Sequence, residues 1–187
     1  LGGIGKSRLA LEFCQLHKRR FPGGIWLTDL SASPTESAIN RALGSALGLN
    51  FEKTDALEKI AEHLNTRKDT LLVFDNAEDA TSDLTPTVSF LLEQVPTLRV
   101  MVTSREKLAT PWEAVLSVSE LSSRASVALL MQSARHTFAM DGPTPEGARA
   151  VEDIARLLEG HPLSLELAAA QLEMMAPSQL YARLYSS

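Results

Sequence analysis

A single cysteine, Cys14, is all the chain has, so no disulfide can form within it and a reducing compartment, the cytoplasm, is its expected home. Cys14 shares a helix face with Ala10, which points to packing rather than reactivity. The four histidines and this cysteine show no metal-ligand spacing. There is no G-x-S-x-G nucleophile elbow and no Asn-Lys-x-Asp segment to read guanine. No apolar run approaches the length of a membrane span, and no secretory signal is visible. Low-complexity segments and internal repeats are absent as well. Positive charge is scarce. The 18 Lys and Arg against 23 Asp and Glu leave a formal net charge of −5, which argues against a nucleic-acid surface spread over this segment. The one basic cluster, His17-Lys18-Arg19-Arg20, falls at the end of a predicted helix, where cations complement the helix dipole. An initiator Met is also missing, so the chain is expected to be a segment of a longer protein. What remains is 187 residues, 44% hydrophobic and 22% charged. That is the composition of a soluble globular protein with room for one α/β domain and a small appendage.

The strongest positive signal opens the chain. Leu1-Gly2-Gly3-Ile4-Gly5-Lys6-Ser7 fits the phosphate-binding pattern G-x-x-x-x-G-K-[ST], with the first glycine expected one position before Leu1. Glycines allow positive φ and bring backbone N–H groups close to phosphate oxygens. A helix starting near Lys6 adds the positive end of its dipole at the same point. Lys6 can then bridge the β- and γ-phosphates, and the Ser7 hydroxyl can ligate Mg²⁺. The plainer alternative is a glycine-rich turn that happens to precede Lys-Ser.

Downstream, the hydrophobic pattern alternates between helix and strand. The first helix carries Leu9, Phe13 and Leu16 on one face and ends before Pro22-Gly23-Gly24. A strand is predicted at 25–30. Ser33-Pro34-Thr35-Glu36 reads as a capping box opening a helix with Ile39, Leu43, Ala46 and Leu47 inward. A further helix, with Leu57, Ile60, Ala61 and Leu64 on one side, leads to the apolar run Leu71-Leu72-Val73-Phe74 and then Asp75. Such a run suits a strand buried on both faces of a parallel sheet. Next come a helix with Val88, Leu91, Leu92 and Val95 stopped by Pro96, a strand at 100–103, and a weaker strand at 114–118. This order predicts an α/β parallel sheet over residues 1–120, with ligands beyond the carboxyl ends of its strands. Residues 121–187 lose the strand signal. Helices are predicted there at 122–138, 145–158 and 163–175, a small all-helical domain.

Two strand ends carry candidate chemistry. Asp75 follows four apolar residues, as an acid that holds Mg²⁺ through its water shell would. An Asp capping the next loop is the alternative. Asn76 comes next and can orient a water but cannot take its proton; Glu78 could serve as base only if its loop turns inward, and an exposed surface Glu is the alternative. Arg105 ends the next strand inside Thr103-Ser104-Arg105. It either reaches a γ-phosphate or forms a surface pair with an acid such as Glu106.

Taken in order, four segments resemble one known family along nearly the whole chain. Residues Gly2 to Glu12, Leu71 to Glu78, Val102 to Arg105 and Gly160 to Ala170 are similar to the Walker A, Walker B, sensor 1 and GLPL motifs of STAND-class P-loop ATPases. These are the relatives of NB-ARC domains, in the form found in bacterial LuxR-type and SARP-type regulators. The resemblance implies a P-loop NTPase sheet whose first strand lies outside this chain, in the sheet interior between the strands ending at Arg105 and near Val118. It implies that Gly2, Gly3, Ile4, Gly5, Lys6, Ser7, Arg8, Arg105 and Pro162 bind ATP or ADP, with Pro162 near the adenine. Ser7 and Asp75 would hold Mg²⁺, and Lys6, Asp75, Glu78 and Arg105 would serve hydrolysis. Asn76 stands where many relatives carry a second acid, so slow hydrolysis is expected. The implied protein is a cytoplasmic switch that self-associates in its ATP state and works through an output domain elsewhere in the parent chain, of DNA-binding or another kind. A hydrolysis-dead scaffold and an AAA+-like ATPase are the rival readings.

Overall fold

In the computed structural model the described residues are 2–32, 35–49, 56–134 and 144–186. They fall into two compact units, Lys6–Leu116 on one side and Leu1–Gly5 with Ser117–Ser187 on the other.

The first unit is built on three parallel strands: β1 (Gly24–Asp29), β2 (Thr70–Asp75) and β3 (Leu98–Val102), in the order β1-β2-β3. Register pairs Asp29 with Asp75 and Phe74 with Val102, so the strands end together at their carboxyl edge. β2 is central because it alone is apolar enough to be covered twice. Leu71 and Val73 face α1 (Lys6–His17), where Ala10, Phe13 and Cys14 pack with Ile25 and Met101. Leu72 and Phe74 face α2 (Glu36–Ala46), α3 (Ala56–Asn65) and α4 (Thr81–Gln94) and meet Ile39, Leu43, Ile60, Leu64, Leu84 and Leu91. Full burial of side chains of this size stabilises by about 1.5–3 kcal/mol each, so this two-sided contact is what fixes β2 in place.

Two expectations change here, the inward face of α1 and the strand at 114–118. The inward face of α1 is Ala10, Phe13 and Cys14, while Leu9 and Leu16 are 48% and 71% exposed. Of the expected stripe, Phe13 packs against Leu71 and Val73, joined by Ala10 and Cys14 in place of the two leucines. Residues 114–118 form no strand, and Val115 and Leu116 are exposed. A strand exists only where its N–H and C=O groups have a ladder partner, and among the described residues this segment has none. α4 begins earlier than its apolar stripe and runs through Pro86, a residue that removes one helical donor. Thr35 is the N-cap of α2 without a side-chain bond. The other half of the expected box, Ser33-Pro34, lies outside the described residues.

The second unit packs four helices: α5 (Ser123–Ser133), α6 (Pro145–Leu157), α7 (Pro162–Leu172) and α8 (Pro177–Tyr185). Leu130, Val151, Ile154, Leu165, Ala169, Leu172 and Leu180 form its core. Caps define the starts. Ser122 Oγ accepts from Ala125 N–H, and Thr144 Oγ1 accepts from Gly147 N–H ahead of Pro145. Residues 135–138 of the expected first helix lie outside the described residues. α8 is additional to the predicted set; it is short, and Pro177 marks its first turn.

The end of α6 supplies a test. Glu159 and Gly160 both have positive φ, at 51° and 73°, and the Gly160 carbonyl accepts from Leu121 N–H at 3.0 Å. A Cβ on Gly160 would land on the Leu121 carbonyl oxygen. Left-handed backbone already costs a residue with a Cβ roughly 1–2 kcal/mol, and the clash adds to it. Gly160→Ala should therefore lower the urea midpoint of unfolding. An unchanged midpoint would show that this turn does not hold α6 to the segment before α5.

Candidate functional site

The carboxyl end of the sheet gathers residues from four segments. α1 places Lys6 and Ser7 in its first turn. β2 ends at Asp75, and β3 leads directly into Thr103. Ser7 Oγ donates to Asp75 Oδ1 at 2.7 Å, and Thr103 Oγ1 donates to the same oxygen. Hydrogen bonds to a charged acceptor contribute roughly 1.5–3 kcal/mol each, so one carboxylate oxygen ties α1, β2 and β3 together. Thr103 is pinned in turn: its N–H donates to Phe74 O, its carbonyl accepts from Ala77 N–H, and its hydroxyl accepts from Asn76 N–H at 3.1 Å.

Glu78 turns inward. Its Oε1 lies 3.2 Å from Lys6 Nζ, with both side chains mostly buried, and 3.9 Å from Nε of the more exposed Arg105. Shielding strengthens the attraction in the Lys6 pair but also costs desolvation of both charges; the longer Arg105 contact belongs with surface salt bridges. Glu78, not Glu106, is therefore the acid facing Arg105. Arg8 lies exposed on α1.

Asn76 has a structural contact that the sequence did not indicate. Its φ of 58° is a left-handed conformation that asparagine tolerates better than most side chains. Its Nδ2 donates to Asp29 Oδ1 at 3.0 Å, linking the ends of β1 and β2. That donor, followed by Ser31 N–H, holds the Asp29 carboxyl below the usual carboxylate range. Burial raises the Cys14 thiol pKa, in keeping with a packing role.

The remaining candidates belong to the helical unit. Gly2 and Gly3 lie against the start of α7: His161 Nε2 is 2.8 Å from Gly2 O, and Leu163 N–H donates to Gly3 O at 3.2 Å. Gly3 and Gly5 have φ of 70° and 95°, Ile4 is buried, and Pro162 is the first residue of α7. Thus Lys6, Ser7, Asp75, Glu78 and Arg105 come together in one unit, while Gly2, Gly3, Ile4, Gly5 and Pro162 group in the other. The sequence reading missed Asp29, Thr103 and His161. Asp29 had a signal, since it ends β1 as Asp75 ends β2. Thr103 and His161 lay inside quoted motifs, but only their contacts give them a task.

Two oxygen donors, Ser7 Oγ and Asp75 Oδ1, within hydrogen-bond distance at the head of a glycine-rich loop suit a hard cation such as Mg²⁺. Among the described residues no cluster of three or more His, Cys, Asp or Glu side chains could hold a metal by itself. Nor is any helix among them long and apolar enough to cross a membrane.

Comparison with known proteins gives a consistent picture. The NB-ARC domain family model matches residues 1–137. An "Uncharacterized protein" of Mycobacterium tuberculosis, and one of the same description in Mycobacterium bovis, are 30% identical over 187 residues, covering 97% of this chain and 47% of theirs. A "Putative HTH-type transcriptional regulator" of Mycobacterium tuberculosis is 31% identical over 182 residues, 96% of this chain and 20% of that protein. The chain spans about half the length of the first of these relatives.

The bond from Asn76 to Asp29 predicts a pH effect with a definite sign. A depressed carboxyl pKa stabilises the fold above the ordinary value, and this is lost as pH falls through the lowered one. Because Asp29 is exposed, the energy is small and the titration itself is the better observable. Asn76→Asp removes the donor and adds a second carboxylate, so Asp29 should titrate at higher pH than in wild type. The carboxyl carbon shift of Asp29, followed by NMR, measures this; an unmoved titration would mean that the bond does not form in solution.

Proposed function

The chain belongs to the NB-ARC domain family, a nucleotide-binding family, and from that membership we propose that it is the ATP/ADP switch of a signal-transduction or transcription regulator. The observation that carries this reading is the Ser7–Asp75 contact beside the Lys6–Glu78 pair at the carboxyl end of a parallel sheet. In this reading the N–H groups of Gly2 to Gly5 receive phosphate oxygens and Lys6 bridges the β- and γ-phosphates. Ser7 and Asp75 hold Mg²⁺, which neutralises phosphate charge when bound. Arg8 adds charge near the loop, Arg105 reads the γ-phosphate, and Pro162 packs near the adenine.

Glu78 takes two parts in turn. Without nucleotide its carboxylate satisfies Lys6 and faces Arg105; an incoming γ-phosphate competes with it for the same cations. Once displaced, it is the acid nearest to hand that can accept a proton from water. Hydrolysis is slow, well below the roughly 1–100 s⁻¹ of kinases, because the Asn76 amide is engaged with Asp29 and cannot take a proton. That engagement also favours the second reading, a scaffold that binds nucleotide without hydrolysing it.

An output domain elsewhere in the parent chain, self-association in the ATP state and a cytoplasmic location complete the proposal. The name of the regulator among the relatives supports the first of these.

Two measurements on the full-length protein test it. Lys6→Ala should abolish ATP and ADP binding in calorimetry; equal affinity for mutant and wild type would end the phosphate-loop reading. Glu78→Gln should bind ATP several-fold tighter, as expected when a charged competitor worth about 1 kcal/mol is removed, and should lower single-turnover hydrolysis. A wild type without measurable turnover selects the scaffold, and an unchanged rate in Glu78→Gln removes Glu78 as base.

A further inference from the structure

Two hydrogen bonds at the start of α7 fix how the glycine-rich loop presents its backbone. His161 is the N-cap of this helix, and its Nδ1 accepts from Ser164 N–H at 3.4 Å and lies 3.1 Å from Ser164 Oγ. A ring nitrogen that accepts carries no proton, so in the neutral imidazole the hydrogen sits on Nε2. From there it is donated to Gly2 O, 2.8 Å away. Pro162 has no N–H, and the next donor, Leu163 N–H, goes to Gly3 O at 3.2 Å. The ring N–H of the N-cap and one helix N–H that usually awaits a cap or a ligand are thus spent on consecutive carbonyls of the loop.

Peptide planarity turns these bonds into an orientation. The carbonyl of Gly2 and the N–H of Gly3 belong to one rigid plane and point in opposite directions, as do the carbonyl of Gly3 and the N–H of Ile4. Drawing both carbonyls toward α7 aims the Gly3 and Ile4 N–H groups the other way. The approach is close enough to require glycine: at φ 70°, a Cβ on Gly3 would stand 2.8 Å from Leu163 Cβ and 2.9 Å from His161 Cε1.

We infer that His161 is a positioning residue for the phosphate loop. Its Nε2–H holds the Gly2 peptide so that the Gly3 and Ile4 N–H groups are pre-aimed at the nucleotide phosphates. The inference rests on the nucleotide-binding reading above and extends it, because it makes the first residues of α7 part of what sets nucleotide affinity. A glycine-rich loop loses more freedom on ordering than any other sequence, and a loop already held loses less when ligand arrives.

Two substitutions separate the roles of the two ring nitrogens. In His161→Asn the amide oxygen can still cap Ser164 N–H, but nothing reaches Gly2. In His161→Gln the longer amide carries a donor to about where Nε2 stood. In the full-length protein, ADP affinity measured by calorimetry should fall about three- to tenfold in His161→Asn, the factor that one hydrogen bond supplies. In His161→Gln it should return to within about twofold of wild type by the same reasoning. Amide hydrogen exchange of the peptide covering residues 1–8, without nucleotide, should be faster in His161→Asn than in wild type or His161→Gln. Wild-type affinity in His161→Asn, or equal loss in both variants, overturns the inference, as does unchanged exchange in His161→Asn. Lys6→Ala serves as the control. If it too binds ADP normally, the nucleotide-site reading has failed; if only it loses binding, the failure belongs to His161 alone.

Discussion

One carboxylate oxygen, Asp75 Oδ1, is the point on which the sheet unit converges. Ser7 reaches it from the first turn of α1 and Thr103 from the end of β3, so a single charged acceptor sets the spacing between a helix start and two strand ends. The approach is possible because β2 is apolar on both faces up to Phe74 and polar immediately after. Leu71 and Val73 hold α1 from one side, while Leu72 and Phe74 hold α2, α3 and α4 from the other. The apolar strand thus delivers its terminal charge to a place fixed by packing. Moving Asp75 by one residue would turn it to the opposite face.

Around that point the charges are arranged in sequence from buried to exposed. Glu78 bridges toward Lys6 and Arg105, Asn76 bridges toward Asp29, and each contact crosses from one element to another. The cations at the strand ends therefore already have an acidic neighbour in the protein itself.

Much of the core, and several parts of the site, could be read from the sequence for physical reasons that differ from element to element. β2 was visible because burial on both faces writes a continuous apolar run, and the phosphate loop because backbone chemistry demands glycine followed by Lys-Ser. The inward face of α1 was misjudged in part because periodicity ranks Leu9 and Leu16 above Ala10, whereas Ala10, Phe13 and Cys14 are the residues that pack with β2. Residues 114–118 have strand-like composition, yet a strand is a relation between two segments and not a property of one. His161 and Thr103 act through bonds to residues far away in sequence, at separations no local pattern encodes. α8 is a single short helix whose only landmark is a proline.

The left-handed backbone at Asn76 bears on how this site can evolve. Few side chains tolerate a φ of 58°, and Asn, Asp and Gly are the ones that do so most readily. The residue that adds an acid beside Asp75 is thus among the few this turn accepts, and it is a near-isostere of the one present. The obstacle lies on the neighbouring strand, where Asp29 receives the amide and would meet a carboxylate instead. An acid at 76 would repel the acid at 29 across the gap that the amide now bridges. An acid at 76 is therefore best tolerated where position 29 is not an acid, so the two positions are expected to covary as a pair.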